Sequence, residues 1–390
     1  MLTSYSGKRI LMLQGPNGGF FRRVARRLTA IGADVTKVNF NAADQFFYRG
    51  SKTINFRGSL AQWPDAFRRI VVEHHIDVVM LFGDCRPIHQ AAMIRAREMG
   101  VRVAVFEEGY LRPNYVTLEE GGVNGKSKLP RDPEFYRQIE PEPLPKAKPV
   151  GNVMPEATRS TILNSLLCTL FFWLYPRYRH HRDVNTARQC ALWGRGLLRK
   201  MSNARRDKAT AQLLLSETHP AFFLVALQVH LDSQMQYCKY RDIEEFLGEV
   251  VASLAAHAPS DCRLLVKHHP FDRPYRDYTM LLRELGARFG LQQRLQYVDV
   301  IPLPQALRAA RGTVVINSTV GLSSVQFGTP TKCLGEAIYD IPGLTHQGTL
   351  AQFWQNPGTV DRELYARFRY YLRTTNQLNG SVWTDLFDES

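Results

Sequence analysis

Cysteine is scarce in this sequence, and its copies are scattered. The 390 residues contain 6 cysteines, none in a C-x-x-C pair and none at zinc-finger spacing from a histidine. This pattern is typical of reduced thiols in a cytosolic protein and argues against a disulfide framework or a structural zinc site. Long apolar runs are missing as well. No stretch reaches the roughly 18–20 apolar residues of a membrane span, and the short apolar run at 10–13 does not make a signal peptide.

Several nucleotide-binding signatures are also missing. The sequence has no G-x-G-x-x-G motif and no complete G-x-x-x-x-G-K-[ST] motif, which argues against dinucleotide-dependent enzymes and P-loop NTPases. It has no D-x-D motif that would hold a metal ion, and no helix-turn-helix, RNP or zinc signature for nucleic acid. We therefore expect no metal, no cofactor and no nucleic-acid partner.

The sequence is rich in positive charge. Lysine and arginine number 50 against 36 acidic residues, a formal net charge of +14, while hydrophobic residues make up 44%. The hydrophobic content is that of a globular chain with real cores. The excess charge favours an anionic partner, such as an acidic membrane surface or a phosphorylated substrate.

Strand and helix patterns alternate along both halves of the chain. Short apolar strands are predicted at 9–14, 35–40, 77–82 and 101–106, and again at 221–229, 263–267, 295–298 and 313–316. Helical patterns lie between them, for example at 243–257. This rhythm predicts an α/β fold with two Rossmann-like domains facing a cleft, with ligands at the carboxyl ends of the strands. The predicted domains are 1–150 and 216–349. A proline-rich and then helical segment, 151–215, links them, and helices at 350–390 can pack back on the first domain.

The linking segment contains an amphipathic helix followed by a basic stretch. Apolar residues at 162, 163, 166, 167, 170, 171 and 174 share one helical face, and residues 177–208 hold ten basic residues against two acidic ones. Two interpretations remain open. The helix is either a packed core element with a solvated basic neighbour, or an interfacial helix that lies on an anionic leaflet.

Three predicted strand ends in the first half carry polar or glycine-rich turns, one of which is Gly83-Asp84. Gly15, Asn17 and Gly18 follow the first strand and precede a helix, an arrangement that lets a backbone approach an anion or that simply makes a tight turn. A second turn holds Glu107 and Glu108, with Arg112 four residues further on. One of the two carboxylates can act as a general base, or the pair can serve a surface ion pair with Arg112.

Strand ends in the second half carry phosphate-suited side chains. Lys267 and His269 close one strand, where an ammonium and an imidazole suit a phosphate group. A hydroxyl-rich turn and helix start follow another strand; its candidate residues are Asn317, Ser318, Thr319, Ser323 and Ser324, which also suit helix capping. Asp232 and Gln234, after a third strand, are weaker candidate ligand contacts.

Together these segments resemble the capsule polysaccharide synthesis and export family of the KpsS/LipB type. The resemblance covers nearly the whole chain and rests on LQGPNGGFF, FEEGYLRPNYVTLE, LQVHLDSQ, VKHHPFDR and INSTVGLSSVQFGTPTKCLG, in this order. The family is similar to bacterial polysialyltransferases in an acid-acid-Gly triplet, a His-Pro pair and a Ser/Thr cluster.

The resemblance implies a glycosyltransferase-B-like fold and a retaining transfer of β-Kdo from CMP-Kdo to a lysophosphatidylglycerol-type lipid. This step would start the poly-Kdo linker of a capsular polysaccharide. The first domain would face the acceptor and the second would bind the nucleotide sugar. Glu108 would be the catalytic carboxylate, His269 would stabilise the departing CMP phosphate, and the other candidates would bind substrate.

The same resemblance implies a cytoplasmic protein that is peripheral on the inner membrane and works beside a partner Kdo transferase of the capsule system. Two alternatives stay open. The enzyme could use another CMP-sugar such as sialic acid, or the chain could be a non-catalytic export component.

Overall fold

The computed structural model describes residues 1–50, 52–179, 186–216, 218 and 220–387. The chain divides into two units. The first comprises Met1–Lys128, Glu142–Thr186 and Tyr371–Ser390, and the second comprises Leu129–Pro141 and Ala187–Tyr370. The sequence-based boundary at 349/350 therefore lies inside the second unit.

The strands and helices are numbered along the chain. The strands are β1 Arg9–Met12, β2 Asp34–Asn39, β3 Thr53–Asn55, β4 Val78–Phe82, β5 Arg102–Glu108, β6 Tyr115–Glu120, β7 Phe222–Ala226, β8 Arg263–Lys267, β9 Leu295–Val298, β10 Gly312–Val315, β11 Thr331–Cys333 and β12 Gln377–Asn379. The α-helices are α1 Phe20–Ala30, α2 Ala42–Tyr48, α3 Trp63–Glu73, α4 Pro87–Glu98, α5 Pro133–Arg137, α6 Met154–Leu170, α7 Thr186–Leu214, α8 Ile243–His257, α9 Thr279–Phe289, α10 Leu303–Ala309, α11 Thr319–Phe327, α12 Leu350–Gln355 and α13 Arg362–Thr375. Short 3-10 helices occur at Leu2–Tyr5, Leu60–Gln62, Asn124–Lys126, Phe172–Leu174 and Ser233–Tyr237.

The first unit is built on a sheet with the order β12-β6-β5-β4-β1-β2-β3. The strands from β5 to β3 run parallel, and β6 and β12 add an antiparallel edge. Every residue of β4 is buried, as expected for a central parallel strand covered on both faces. Helix α1 packs on one face through Phe20 and Val24, and α3 packs on the other through Trp63 and Phe67.

The second unit contains a wholly parallel sheet with the order β11-β10-β7-β8-β9. Helices α8, α9 and α12 cover one face, where Phe246, Val250 and Trp354 join the core. On the other face, α10 and the end of α7 pack through Leu307 and Leu214. The prediction of an α/β fold with two Rossmann-like parts is therefore confirmed.

Helix α7 is fastened to the second sheet by charged side chains. The Arg199 guanidinium lies 2.7 Å from a carboxylate oxygen of Asp299, which is fully buried at the end of β9. Asp207 accepts hydrogen bonds from the backbone N–H groups of Asp299 and Val300. Part of the basic segment predicted over 177–208 is thus committed to internal contacts. Two of its charged residues, Arg182 and Asp183, lie outside the described residues.

Helix α6 begins earlier than the sequence pattern predicted. The apolar pattern predicts a helix over 162–174, yet α6 starts at Met154, and Pro155 occupies its first turn, where proline needs no N–H partner. The helix ends at Leu170, and the 3-10 helix Phe172–Leu174 follows it. Among the described residues, no helix combines the length and apolarity needed to cross a bilayer.

Candidate active site

Three neighbouring parallel strands of the first unit end in the candidate turns. β4 lies between β1 and β5, so the turns after these strands share one edge of the sheet. The Arg86 guanidinium, at the start of α4, donates to the Gly15 carbonyl at 2.9 Å. Gly18 adopts a positive φ of 101°, and a Cβ there would lie 2.8 Å from the Ser160 hydroxyl, so this position requires glycine. Asn17 is half-buried beside it.

Glu107 is the perturbed carboxyl of this edge. Its pKa is raised to about 7, mainly by burial and in part by the charge of Glu108, while the Glu108 N–H bond and the charges of Arg112 and Arg86 oppose the shift. A Cβ at Gly83 would lie 3.5 Å from Glu107 Oε2, which places this carboxylate against the β4 turn. A carboxyl with a pKa near neutrality can both accept and donate a proton at physiological pH.

Glu108 lies in a different setting from its neighbour. Its carboxylate forms a 2.7 Å ion pair with Arg112, and both side chains are substantially exposed. Successive residues of a strand point to opposite faces, which explains why two adjacent glutamates differ so much. The surface ion pair considered from the sequence is therefore present, and it belongs to Glu108.

Gly109 lets the chain turn after the two glutamates. A Cβ at this position would collide with the Tyr115 carbonyl of β6, so no other residue fits this antiparallel pairing. The N–H of Tyr110 donates to the side chains of Gln377 and Thr117, and the Tyr110 hydroxyl accepts from the Asn124 N–H. The C-terminal strand β12 thus fixes the acid-acid-Gly turn.

Sequence reasoning noted the Gly83-Asp84 turn but assigned no role to Asp84, and it missed Arg86 and Lys126. Asp84 is almost fully buried, accepts from the Val123 N–H at 3.2 Å and lies 4.0 Å from the Lys126 ammonium. Arg86 contributes charge beside Glu107. The available signal was the Gly83-Asp84 turn after a buried strand, but nothing in the sequence pattern tied Arg86 to Glu107.

In the second unit the candidate turns also follow neighbouring strands. β7 lies between β10 and β8, so residues after these three strands share one sheet edge. The Gln228 side chain accepts from the Asn317 N–H and donates to Asp232, and the Asn317 side chain donates to the Gln234 carbonyl. These bonds join two of the predicted turns.

The two adjacent histidines after β8 have opposite roles. His268 is fully buried and hydrogen-bonds the Tyr297 hydroxyl at 2.8 Å, and burial together with the charge of Arg199 lowers its pKa to about 3. His269 is partly exposed, and its Nδ1 accepts from the Phe271 N–H. Burial, with the charge of Arg273, lowers the pKa of Lys267 to about 8. An anion at this edge would restore the full lysine charge.

The serine and threonine side chains after β10 differ in what their hydroxyl groups do: one caps a helix, two are partly accessible and one is buried in the core. Ser318 caps α11 by accepting from the Val320 N–H, while Thr319 and Ser323 are half-buried on the first turns of this helix. Ser324 is fully buried and donates to Thr313 Oγ1 at 2.8 Å. Its hydroxyl therefore serves the core, and we leave it out of the donor site proposed below.

A further pair was missed in the second unit. His230, after β7, contacts the carboxylate of Asp272, which is fully buried and lies just past the His-Pro pair. The sequence presented His230 within a polar strand end, but its acidic partner is 42 residues away. Among the described residues, no three His, Cys, Asp or Glu side chains gather in a way that suits a metal ion.

The fold and these strand ends define an α/β protein with two Rossmann-like units, each carrying polar side chains at the carboxyl edge of its sheet. Residues 77–383 match the family model described as capsule polysaccharide biosynthesis protein, and the chain belongs to this family. The resemblance stated from the sequence motifs is therefore confirmed.

Two named relatives that match nearly the whole chain agree with this assignment. The chain is 39% identical to the capsule polysaccharide export protein KpsS of Escherichia coli, with 96% of this chain and 97% of that protein covered. It is 38% identical to the capsule polysaccharide modification protein LipB of Neisseria meningitidis serogroup A, over 98% of this chain and 93% of that protein. A solved structure of Thermosulfurimonas dismutans KpsC, described as a beta Kdo 2,4 transferase, is 14% identical with a TM-score of 0.42, covering 93% of this chain and 90% of that chain.

Proposed function

We propose that this protein is a retaining glycosyltransferase that moves β-Kdo from CMP-Kdo to a lysophosphatidylglycerol-type lipid. Membership of the capsule polysaccharide biosynthesis family supports a role in capsule assembly. The donor and acceptor come from the resemblance of the five sequence segments. A lipid acceptor means that the enzyme works on the cytoplasmic face of the inner membrane, beside a partner transferase that extends the product.

The position of Glu107, against the β4 turn and near the charge of Arg86, is the observation that carries the proposal. With a pKa raised by burial to about 7, a large fraction of this carboxyl is ionised at neutral pH and can accept a proton. In the reaction, the acceptor hydroxyl gives its proton to Glu107 while its oxygen bonds to the anomeric carbon on the same face from which CMP departs, so that the β configuration is retained. The bond from that carbon to the CMP phosphate oxygen breaks, and CMP leaves with the electron pair.

We assign the catalytic carboxyl to Glu107, although the sequence resemblance pointed to Glu108. Glu108 is held in an exposed ion pair with Arg112, so its carboxylate already has a cationic partner. We propose that the pair positions the turn after β5 and contacts substrate from there.

The second unit supplies the contacts for the departing phosphate in this proposal. Lys267 neutralises charge, His269 donates a hydrogen bond, and the turn at Ser318 offers hydroxyl and backbone N–H groups at the start of α11. Asp232, Gln234 and Asn317 form the adjoining hydrogen-bonded frame. No metal is needed in this scheme because the CMP phosphate is already an activated leaving group.

The proposal is tested by incubating the purified full chain with CMP-Kdo and fluorescent lysophosphatidylglycerol in detergent. We expect a product that carries Kdo, seen by mass spectrometry, and no product when CMP-sialic acid replaces CMP-Kdo. Lysophosphatidylcholine serves as the matched acceptor control. Transfer from CMP-sialic acid but not from CMP-Kdo would show that sialic acid is the sugar transferred. No transfer from either donor would contradict the proposed activity.

A further inference from the structure

Helix α6 presents a row of its apolar residues to solvent, and its most buried residue is the polar Ser160. Ile162, Leu166 and Leu170 are exposed along one side of the helix, and Phe172 and Trp173, just after it, are 68% and 60% exposed. A helix on the surface of a soluble domain has the reverse arrangement, with its apolar stripe facing the core. This outward surface, 162–173, is here called the apolar ridge.

The inner side of α6 explains why the helix is nevertheless held in place. Its small and polar side chains pack against α2 and the turn after β1. Ser160 is buried beside Gly18, and the Ala43 N–H donates to the partly buried Cys168 thiol. The orientation of α6 is thus set by specific contacts, and the exposure of the ridge follows from them.

A basic cavity of about 480 Å³ adjoins the ridge. It is lined by α1, α2 and α6, and contains five arginines and one glutamate, a net charge of +4; the charged lining residues are Arg22, Arg23, Arg26, Arg49, Arg159 and Glu156. Arg159 pairs with Glu156, and Arg23 lies 3.3 Å from a carboxylate oxygen of Asp385. Within the described part of the chain, Arg22, Arg26 and Arg49 form no ion pair. This cavity is here called the arginine pocket.

The arginine pocket and the apolar ridge form one continuous surface. An open groove beside the ridge is lined by Met154, Ile162, Leu163 and Leu166, and it shares Leu163 and Arg159 with the arginine pocket. A ligand that covers both must carry an anionic group next to hydrocarbon. Glycerophospholipids have this chemistry, because one glycerol carries both the phosphate and the acyl chains.

We propose that the apolar ridge and the arginine pocket are the docking surface of this protein for an anionic phospholipid leaflet. The ridge enters the boundary between headgroups and acyl chains, and Arg22, Arg26 and Arg49 bind headgroup phosphates. This inference deepens the proposed function, since it assigns the surface at which a lipid acceptor is met. The sequence pattern assigned the binding of anionic lipid to the basic segment after residue 176. The structure favours Arg22 and Arg26 of α1 and Arg49, which directly follows α2.

The test is vesicle co-sedimentation of the full chain without any sugar donor. We expect binding to equimolar phosphatidylglycerol and phosphatidylcholine vesicles that falls as salt rises, and little binding to pure phosphatidylcholine vesicles. The variant R22Q/R26Q/R49Q should bind the mixed vesicles about two orders of magnitude more weakly, because each arginine near such a surface contributes roughly fivefold. The variant I162S/L166S/L170S should lose at least about tenfold.

Matched controls carry the same changes elsewhere on the surface. V72S/I94S replaces exposed apolar residues of α3 and α4, and R283Q/R288Q replaces exposed arginines of α9. Both should bind as the unchanged chain does, and circular dichroism checks that every variant is folded. The proposal would be overturned if the ridge and pocket variants bound vesicles as tightly as the unchanged chain. It would also be overturned if the control variants lost as much binding as the ridge and pocket variants do.

A second copy of the chain is the rival occupant of the ridge. A concentration-dependent dimer in sedimentation velocity that I162S/L166S/L170S abolishes, without vesicle binding by the unchanged chain, would assign the ridge to self-association and overturn lipid docking. Because vesicle binding needs no donor and the transfer assay uses detergent, failure of docking and failure of the transferase activity are separate results.

Discussion

At the scale of single residues, the two adjacent glutamates after β5 illustrate how environment divides one motif into two functions. Burial dominates at Glu107 and raises its pKa to about 7, whereas Glu108 reaches solvent and the Arg112 guanidinium. The stability of the protein is linked to such a shift, because a raised pKa means that the folded state holds the proton more tightly than the unfolded chain.

Glu107 is predicted to make the folded protein less stable as the pH rises. Its pKa is about 7 when folded and 4.5 in the unfolded reference, so the free energy of unfolding falls between about pH 5 and pH 7 and stays lower above that window. Glu107→Gln removes this penalty. We expect the variant to be more stable than the unchanged chain by about 1 kcal/mol or more at pH 8, with the difference closing at pH 5. Urea denaturation at both pH values measures it.

Glu108→Gln is the control for that experiment. It removes the neighbouring carboxylate of an exposed ion pair, so it should lower stability by no more than about 1 kcal/mol at either pH. A Glu107→Gln variant that is less stable than the unchanged chain at pH 8 would show that the Glu107 carboxylate is well stabilised in the fold.

The sequence identified most candidate residues by their place at strand ends, but it could not rank them. Because side chains alternate along β5, only one of the two glutamates was expected to face a ligand. Choosing between them required knowing how deeply each side chain is buried and where Arg86 lies. Ser324 looked equivalent to Ser323 in the sequence, yet the rotation of roughly 100° between successive residues of a helix makes one hydroxyl buried and leaves the other half-buried. Pairs such as His230 with Asp272 depend on tertiary contacts that no local pattern records.

At the scale of elements, the long regular segments were predictable and the short ones were not. Helix α8 and strands β8 and β9 have the predicted bounds, because strong apolar periodicity and buried runs determine them. The three-residue strands β3 and β12 have too little pattern of their own and exist through pairing with β2 and β6. The orientation of α6 was also unpredictable, since either side of the helix can be the packed one.

Helix α7 provides an element-scale prediction. Arg199 is nearly buried and neutralises the fully buried Asp299, so Arg199→Ala leaves a buried carboxylate without its main partner. We expect the free energy of unfolding to fall by about 3 kcal/mol, which is near the low end for a broken buried ion pair. The low end is expected because the Arg206 and Arg273 guanidinium groups, at 3.7 and 4.0 Å, still lie close to Asp299.

The matched control is Arg195→Ala on the exposed side of the same helix, which should change stability by less than about 0.5 kcal/mol. Urea denaturation of the two variants compares them directly. An equally small effect of Arg199→Ala would mean that the apolar contacts of α7, including Leu214, hold this helix without the ion pair.

At the scale of the whole molecule, the chain enters each unit more than once. Residues 371–390 belong to the first unit, where Gln377 of β12 fixes the turn that follows the two glutamates. The sequence indicated two α/β halves in chain order, and the two sheets confirm this. The return of the chain to the first sheet through β12 was not indicated, because a strand of three residues has almost no sequence pattern of its own. The terminal segment therefore supports the proposed catalytic turn directly.

The central claim is that Glu107 carries the proton in glycosyl transfer, and the most direct measurement compares two variants in the detergent transfer assay. Glu107→Gln should bind CMP normally but transfer Kdo about 100-fold more slowly or worse, because glutamine cannot accept the proton. Glu108→Gln should keep most of the rate. Normal transfer by Glu107→Gln, with Glu108→Gln inactive, would contradict the claim and return the catalytic role to Glu108.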